Sequence, residues 1–237
     1  MVVRADGGDR IGRGANPIDG PAPYASLLAS GCAEIVGFEP NAEALAKLTR
    51  QKGPRETYLP YAIGDGRQHT LYHCQSEGMT SLLQPNPEVL SLIHGFSVWG
   101  RVVQTELVET KRLDDIPETA ALDYLKMDIQ GAELMVLQHA TDRLRHALEV
   151  HTEVEFLPMY VGQPLFSDVD QFLRQHGFVL HRFNPLATRA VVPPGSGKQA
   201  LRRVRATVLG RCRIHERLHP PRPVGSRPVA AARRHSP

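Results

Sequence analysis

Asp128 closes the apolar segment Leu122-Asp-Tyr-Leu-Lys-Met127, and Gly131 and Glu133 follow before a helix-patterned stretch with Leu134, Val136 and Leu137. An apolar run that ends in an acid and turns into a helix predicts a buried parallel strand with a carboxylate at its C-terminal end. Ligands of open α/β sheets sit just outside those ends, so Asp128 is aimed at a site. The alternative is a cap for the helix that follows. Upstream, Ala33-Glu-Ile-Val-Gly-Phe-Glu39-Pro40-Asn41 has the same shape. An acid placed like Glu39 commonly accepts hydrogen bonds from ribose hydroxyls; otherwise it is a helix-start charge meeting the helix dipole. Gly14-Ala15-Asn16 precedes a predicted helix, and a turn of small residues lets a ligand approach the backbone. Asp65, between Gly64 and Gly66, either faces a base such as adenine or makes an Asx turn.

Three further side chains could move a proton. Glu153 and Glu155 are two apart on a predicted strand and share a face, and His151 lies on that face too. Buried acids on a strand are costly, so at least one of this pair is expected to border a cleft. A carboxylate or imidazole within hydrogen-bond reach of a hydroxyl can take its proton. The candidates, in order, are Asp128, Glu153 and His151. Glu133 fits dipole compensation in the first helical turn as well as it fits chemistry. No pair of His or Cys has metal-ligand spacing, and no Ser-His-Asp arrangement is legible.

The elements that must position these residues alternate. Strands are predicted at 33–38, 57–63, 69–74, 98–110, 122–127, 148–156 and 178–183. Helices are predicted at 21–31, 42–52 (capped by Asn41), 132–140 and 167–176 (capped by Ser167, with Asp170 three residues on). Alternation of this kind implies βαβ units, right-handed crossovers and a mostly parallel sheet with helices on both faces. Residues 1–13 contain Gly7, Gly8, Gly12 and five charges, and they make no apolar run.

The chain has 237 residues and 41% apolar residues, enough for one α/β domain with a sizeable core. No apolar run is long enough for a membrane span, and no signal-peptide pattern opens the chain. Three widely spaced cysteines (Cys32, Cys74, Cys212) suggest a reducing compartment, so the expected location is cytoplasmic. The net charge of +3 hides an asymmetry: residues 198–237 carry eleven Lys and Arg and one acid, against 17 basic and 24 acidic residues before them. Pro193-Pro-Gly-Ser-Gly197 reads as a linker, and the Arg- and Pro-rich stretch beyond it can bury little. The alternation of Val204, Ala206 and Val208 leaves room for one short strand there.

Taken together, Gly14-Ala-Asn16, Gly37-Phe-Glu39-Pro40-Asn41, Ala62-Ile-Gly-Asp65, Ser81-Leu82, Thr110-Lys-Arg-Leu113-Asp114-Asp115 and Leu125-Lys-Met-Asp128-Ile-Gln-Gly131-Ala-Glu133 resemble the FkbM-type methyltransferases over roughly residues 14–183. The resemblance implies a seven-stranded, Rossmann-like, three-layer α/β/α sheet. It also implies S-adenosylmethionine as cofactor and a small-molecule hydroxyl acceptor, such as a sugar or natural product. It assigns Gly14, Ala15 and Asn16 to the methionine portion, Glu39 with Pro40 to the ribose, Asp65 to the adenine and Asp128 to the reacting centre. Two features depart from the pattern: Gly12 stands where an acid is expected before Gly14, and residues 199–214 match a final strand poorly. The implied organisation is an incomplete first strand in 1–13, a methyltransferase domain over 14–198 and a basic, largely disordered tail over 199–237. Two other readings stay open. One is an NAD-type Rossmann oxidoreductase, against which the missing Gly-x-Gly-x-x-Gly speaks. The other is an inactive nucleotide-fold protein that binds nucleic acid through its basic tail, against which the acidic body and the lack of tail aromatics speak.

Overall fold

Val2-Val-Arg-Ala5 forms the strand at the centre of the sheet, in the stretch from which the sequence predicts little. The computed structural model describes residues 2–5, 24, 28–184, 186–191 and 205–216. Strand β1 (Val2–Ala5) pairs in parallel with β2 (Ile35–Phe38) on one side and with β7 (Tyr124–Met127) on the other. The parallel ladder continues to β3 (Glu56–Leu59) beyond β2 and to β8 (Glu149–Glu155) beyond β7. An antiparallel strand, β11 (Arg205–Glu216), follows β8 and pairs with both β9 (Phe178–Phe183) and β10 (Ala187–Ala190). Among the described residues the main sheet therefore has eight strands, where the resemblance implies seven. Two short strands share β11, which accounts for the extra one.

A second sheet has three strands in the order β4 (Ala62–Ile63), β6 (Val102–Lys111), β5 (Gln68–Cys74). The sequence merges β3 and β4 into one strand over 57–63. Pro60 stands between them, and without an N–H it cannot continue a ladder. The predicted strand over 98–110 begins later than expected. Its first residues belong to a helical turn, Phe96–Trp99, closed by Gly100.

Helix α1 (Ala42–Gln51) starts where predicted: the Asn41 side chain accepts from Ala44 N at 2.9 Å. Helices follow at Pro87–Ser91 (α2), Phe96–Trp99 (α3), Glu133–Gln138 (α4), Thr141–Leu144 (α5) and Phe166–Gln175 (α6). The cap of α6 differs from the predicted one. Leu165 is the N-cap, and Asp168 reaches back to accept from its backbone N–H at 2.8 Å. Of the predicted helix over 21–31, the described part shows Leu28 N donating to Tyr24 O and Gly31 at φ 73°, a left-handed stop.

Strand alternation sorts the two faces of the main sheet. Val36, Phe38, Leu125, Met127, Val150, Val154, Cys212 and Ile214 all point into the principal core, against Leu137 of α4 and Leu173 of α6. Residues one step out of phase point the other way. Ile35 and Tyr124 pack with Tyr24 and Leu28, and His151, Glu153 and Glu155 share that second face. A smaller core of Cys74, Met79, Leu90, Ile93, Phe96, Met159 and Tyr160 lies under residues 74–101. Among the described residues, no helix is long and apolar enough to cross a membrane.

Candidate active site

Phe38 is level with Ala5 of β1, and Leu125 is level with Val3, which brings Met127 level with Ala5 as well. Glu39 and Asp128 each follow one of those residues. The two acids therefore stand at one height, at the C-terminal edge of strands that flank β1. Two inter-strand spacings separate them, about 10 Å. The end of β1 therefore lies between the two acids.

Glu39 is almost fully buried, at 3% exposure. One carboxylate oxygen accepts from Asn41 N at 2.8 Å, so the acid braces the start of α1. The other, Oε2, is buried without a hydrogen-bond partner among the described residues. Burial raises the acid's pKa above its usual value, and the Asn41 bond works against that. An unsatisfied buried carboxylate oxygen is expensive unless something else donates to it. Two hydroxyls on adjacent ring carbons are such donors.

The loop after β7 makes the other wall. Gln130 has φ 57° and Gly131 φ 98°, two consecutive left-handed residues, of which the first is not glycine. Strain of this kind persists only where the surroundings hold it. Glu133 does part of that work: its two carboxylate oxygens accept from Ile129 N at 2.9 Å and Gly131 N at 2.8 Å. Ser81 Oγ donates to the Gln130 carbonyl at 2.7 Å. Gln130 Nε2 donates to Asp128 Oδ1 at 2.9 Å and to Glu153 Oε2 at 2.8 Å. The Tyr160 hydroxyl reaches Met79 O at 3.2 Å and Gln130 Oε1 at 3.4 Å.

Four acids thus crowd the ends of β7 and β8. Asp128 is half-buried, whereas Glu133, Glu153 and Glu155 are buried. Burial pushes Glu133 up to about 7, against its two backbone N–H donors and with help from the nearby Asp128 charge. Glu155 is pushed further, to about 9, by burial and then by the charges of Glu133 and Asp128. Its Oε1 and Gln163 Nε2 lack a well-formed hydrogen bond, although Gln163 sits close enough to favour the ionised acid. Of the two coupled acids, Glu155 is the one that keeps a proton at neutral pH, because Glu133 has the better donors.

The remaining predicted residues are less central. His151 is buried, with the Tyr124 hydroxyl 2.8 Å from Nδ1 and Asn184 Nδ2 3.0 Å from Nε2. Asp65 makes the Asx turn: its Oδ1 accepts from Arg67 N at 3.0 Å and pairs with His69 Nε2 at 2.7 Å. Its pKa is lowered, because those bonds and the charges of His69 and Arg67 outweigh partial burial. Gly14, Ala15 and Asn16 lie outside the described residues. Pro40 follows Glu39 and is exposed. No cluster of His, Cys, Asp or Glu suited to a metal ion occurs among the described residues.

Residues 6–180 match the family described as Methyltransferase FkbM domain. The chain belongs to the FkbM methyltransferase family. It is 30% identical over 152 residues to 2-O-methyltransferase NoeI of Sinorhizobium fredii (strain NBRC 101917 / NGR234), covering 58% of this chain. The chain spans 60% of the length of that relative. A solved structure of PH1948 from Pyrococcus horikoshii, a candidate RNA methyltransferase, covers 81% of this chain and 67% of its own. Identity there is 12% and the TM-score is 0.38.

Within this FkbM domain, Gln130, Ser81, Tyr160 and Gln163 join the candidate site through the turn after β7, and the sequence leaves them without a role. A residue wedged between a strand-end acid and a glycine was the available signal for Gln130. Nothing in the sequence ties Ser81 or Tyr160 to it, because those contacts span 49 and 30 residues.

Proposed function

We propose that this FkbM-family chain is an S-adenosylmethionine-dependent methyltransferase that O-methylates a hydroxyl of a sugar or another small metabolite. The observation that carries the reading is Glu39 Oε2, a buried carboxylate oxygen without a donor among the described residues, level with Asp128 across β1. Glu39 would hold the ribose diol of the donor. Asp65 would lie toward the adenine, and the residues that follow β1, Gly14 to Asn16 among them, would line the methionine portion. The sheet is read as Rossmann-like, with three layers and helices on both faces. The 2-O-methyltransferase name of the Sinorhizobium relative supports a hydroxyl acceptor. The free cysteines Cys32, Cys74 and Cys212 fit a reducing cytoplasm.

When bound, the donor supplies an already activated methyl group on a sulfonium centre. The chain's task is alignment, which can account for much of the rate of such a displacement. Asp128 is the first candidate to accept the acceptor's proton: it is half-exposed at the strand end, and Gln130 fixes its carboxylate. Glu153, held by the same amide, is second. His151 is third, since both ring nitrogens already have contacts within the protein.

Titration calorimetry with S-adenosylmethionine tests the reading. Glu39→Ala should weaken binding by about tenfold or more, the order expected for losing hydrogen bonds to a charged group. Binding equal to that of the unaltered chain would remove Glu39 from the donor site. NAD serves as the control ligand, and heat evolved with NAD alone would favour an oxidoreductase.

A further inference from the structure

We infer that Gln130 is a positioning residue that keeps Asp128 and Glu153 together as a negatively charged pair, and that this pair lets the crevice prefer a positively charged donor over its neutral product. The inference rests on the reading of the crevice as a donor site. The geometry is specific. One side-chain nitrogen donates to an oxygen of each acid, at 2.9 and 2.8 Å, from a backbone in the left-handed region. An amide nitrogen has two hydrogens, so it can serve two carboxylates at once. Gln130 itself is held by three other groups. Ser81 Oγ fixes its carbonyl, Tyr160 OH meets its Oε1, and Gly131 beside it packs against Gln163 and Tyr160. A glutamine strained in this way and gripped at both ends is built to present its Nε2 in one place.

The electrical consequence follows from Coulomb's law. Two carboxylates on one donor, Asp128 and Glu153, place negative charge together in a partly buried space. Hydrogen bonds to the ionised forms favour them, and removing the shared donor raises the pair's proton affinity. Methyl transfer turns a sulfonium cation into a neutral thioether: the C–S bond breaks, its electron pair stays on sulfur, and the acceptor oxygen gains the methyl group. A crevice that stays negative holds the cation and loses that attraction after transfer, which eases product release.

Calorimetry can read this without knowing the acceptor. The probes are S-adenosylmethionine and S-adenosylhomocysteine, and the quantity is the ratio of their affinities. Gln130→Met keeps the side-chain length and removes both donors. It should lower the ratio about tenfold, the effect of one lost charge in a partly solvated site, with homocysteine-form binding little changed. Glu153→Gln removes a charge directly and should lower the ratio similarly. In the double variant the second change should add little, since a single remaining acid does not need a shared donor. An unchanged ratio in Gln130→Met, or equal weakening of both ligands, would overturn the inference. Full additivity in the double variant would do the same. If the unaltered chain binds neither probe, the donor-site reading fails instead. Retained binding of the neutral probe shows that each variant is folded.

Discussion

Glu155 and Glu133 make the charge state of the site dependent on pH. Each acid has a pKa raised by burial, from 4.5 to about 9 and about 7 respectively. Between 4.5 and those values the native state holds protons that the unfolded chain has released. Stability from these groups is therefore full below about 4.5 and declines as pH rises, through 7 for Glu133 and through 9 for Glu155. Glu155→Gln should flatten the part of the decline between pH 7 and 9. Thermal unfolding across that range checks it, and an unaltered slope would show that Glu155 does not hold the proton. Asp65 has the opposite sign: its lowered pKa gives stability that is present above the ordinary carboxylate range and is lost in acid. For Asp128 the proposed role is in chemistry, as acceptor of the hydroxyl proton. Asp128→Ala should abolish methyl incorporation from a labelled donor across a panel of monosaccharide glycosides while leaving the far-ultraviolet dichroism intact; normal incorporation would remove it from the site.

The element that decides the site is the turn between β7 and α4. Both ends of it are legible in residue type and pattern: an apolar strand up to Met127, an acid, a glycine and a helix. The turn's inner geometry was not legible, because it is held by contacts from Ser81, Tyr160 and Gln163 on distant segments. Gly131 shows how tight the arrangement is. A Cβ added there would lie 2.9 Å from Gln163 Nε2, on a backbone with φ 98°. Gly131→Ala should destabilise the protein by about 2 kcal/mol from strain and crowding together. Urea unfolding measures this, and a change under about 0.5 kcal/mol would mean that the turn relaxes freely. Capping was legible in part. Asn41 caps α1 as its type and position predict, but the cap of α6 comes from Asp168 acting on Leu165, one turn-specific choice among several that the sequence permits.

Over the whole molecule, β2, β3, β7, β8 and β9 follow from hydrophobic pattern, and β1, β10 and β11 do not. Residues 205–216 fall within the stretch read from the sequence as a basic tail, yet they form β11, which joins β8 to β9 and β10. Alternation at Val204, Ala206 and Val208 hinted at a short strand. The strand runs on to Glu216, with Cys212 and Ile214 almost wholly buried in the principal core. Ending the chain at residue 198 should therefore remove a sheet strand and lower the unfolding midpoint by more than about 10 °C, or prevent folding. Circular dichroism melts compare that version with the full chain, and equal stability at 198 would show that β11 contributes nothing.

By itself, the sequence determined which strands end in acids, that those strands lie parallel, and which family's motifs they carry. Those properties are local: burial of a short apolar run and the chemistry of the residue that ends it. Tertiary structure alone decided that β1 would stand between Glu39 and Asp128, that a glutamine would join Asp128 to Glu153, and that an Arg-rich segment would complete the sheet. Each of these depends on pairing across long stretches of chain, where backbone hydrogen bonding and buried neighbours outweigh what a residue's own type and spacing favour.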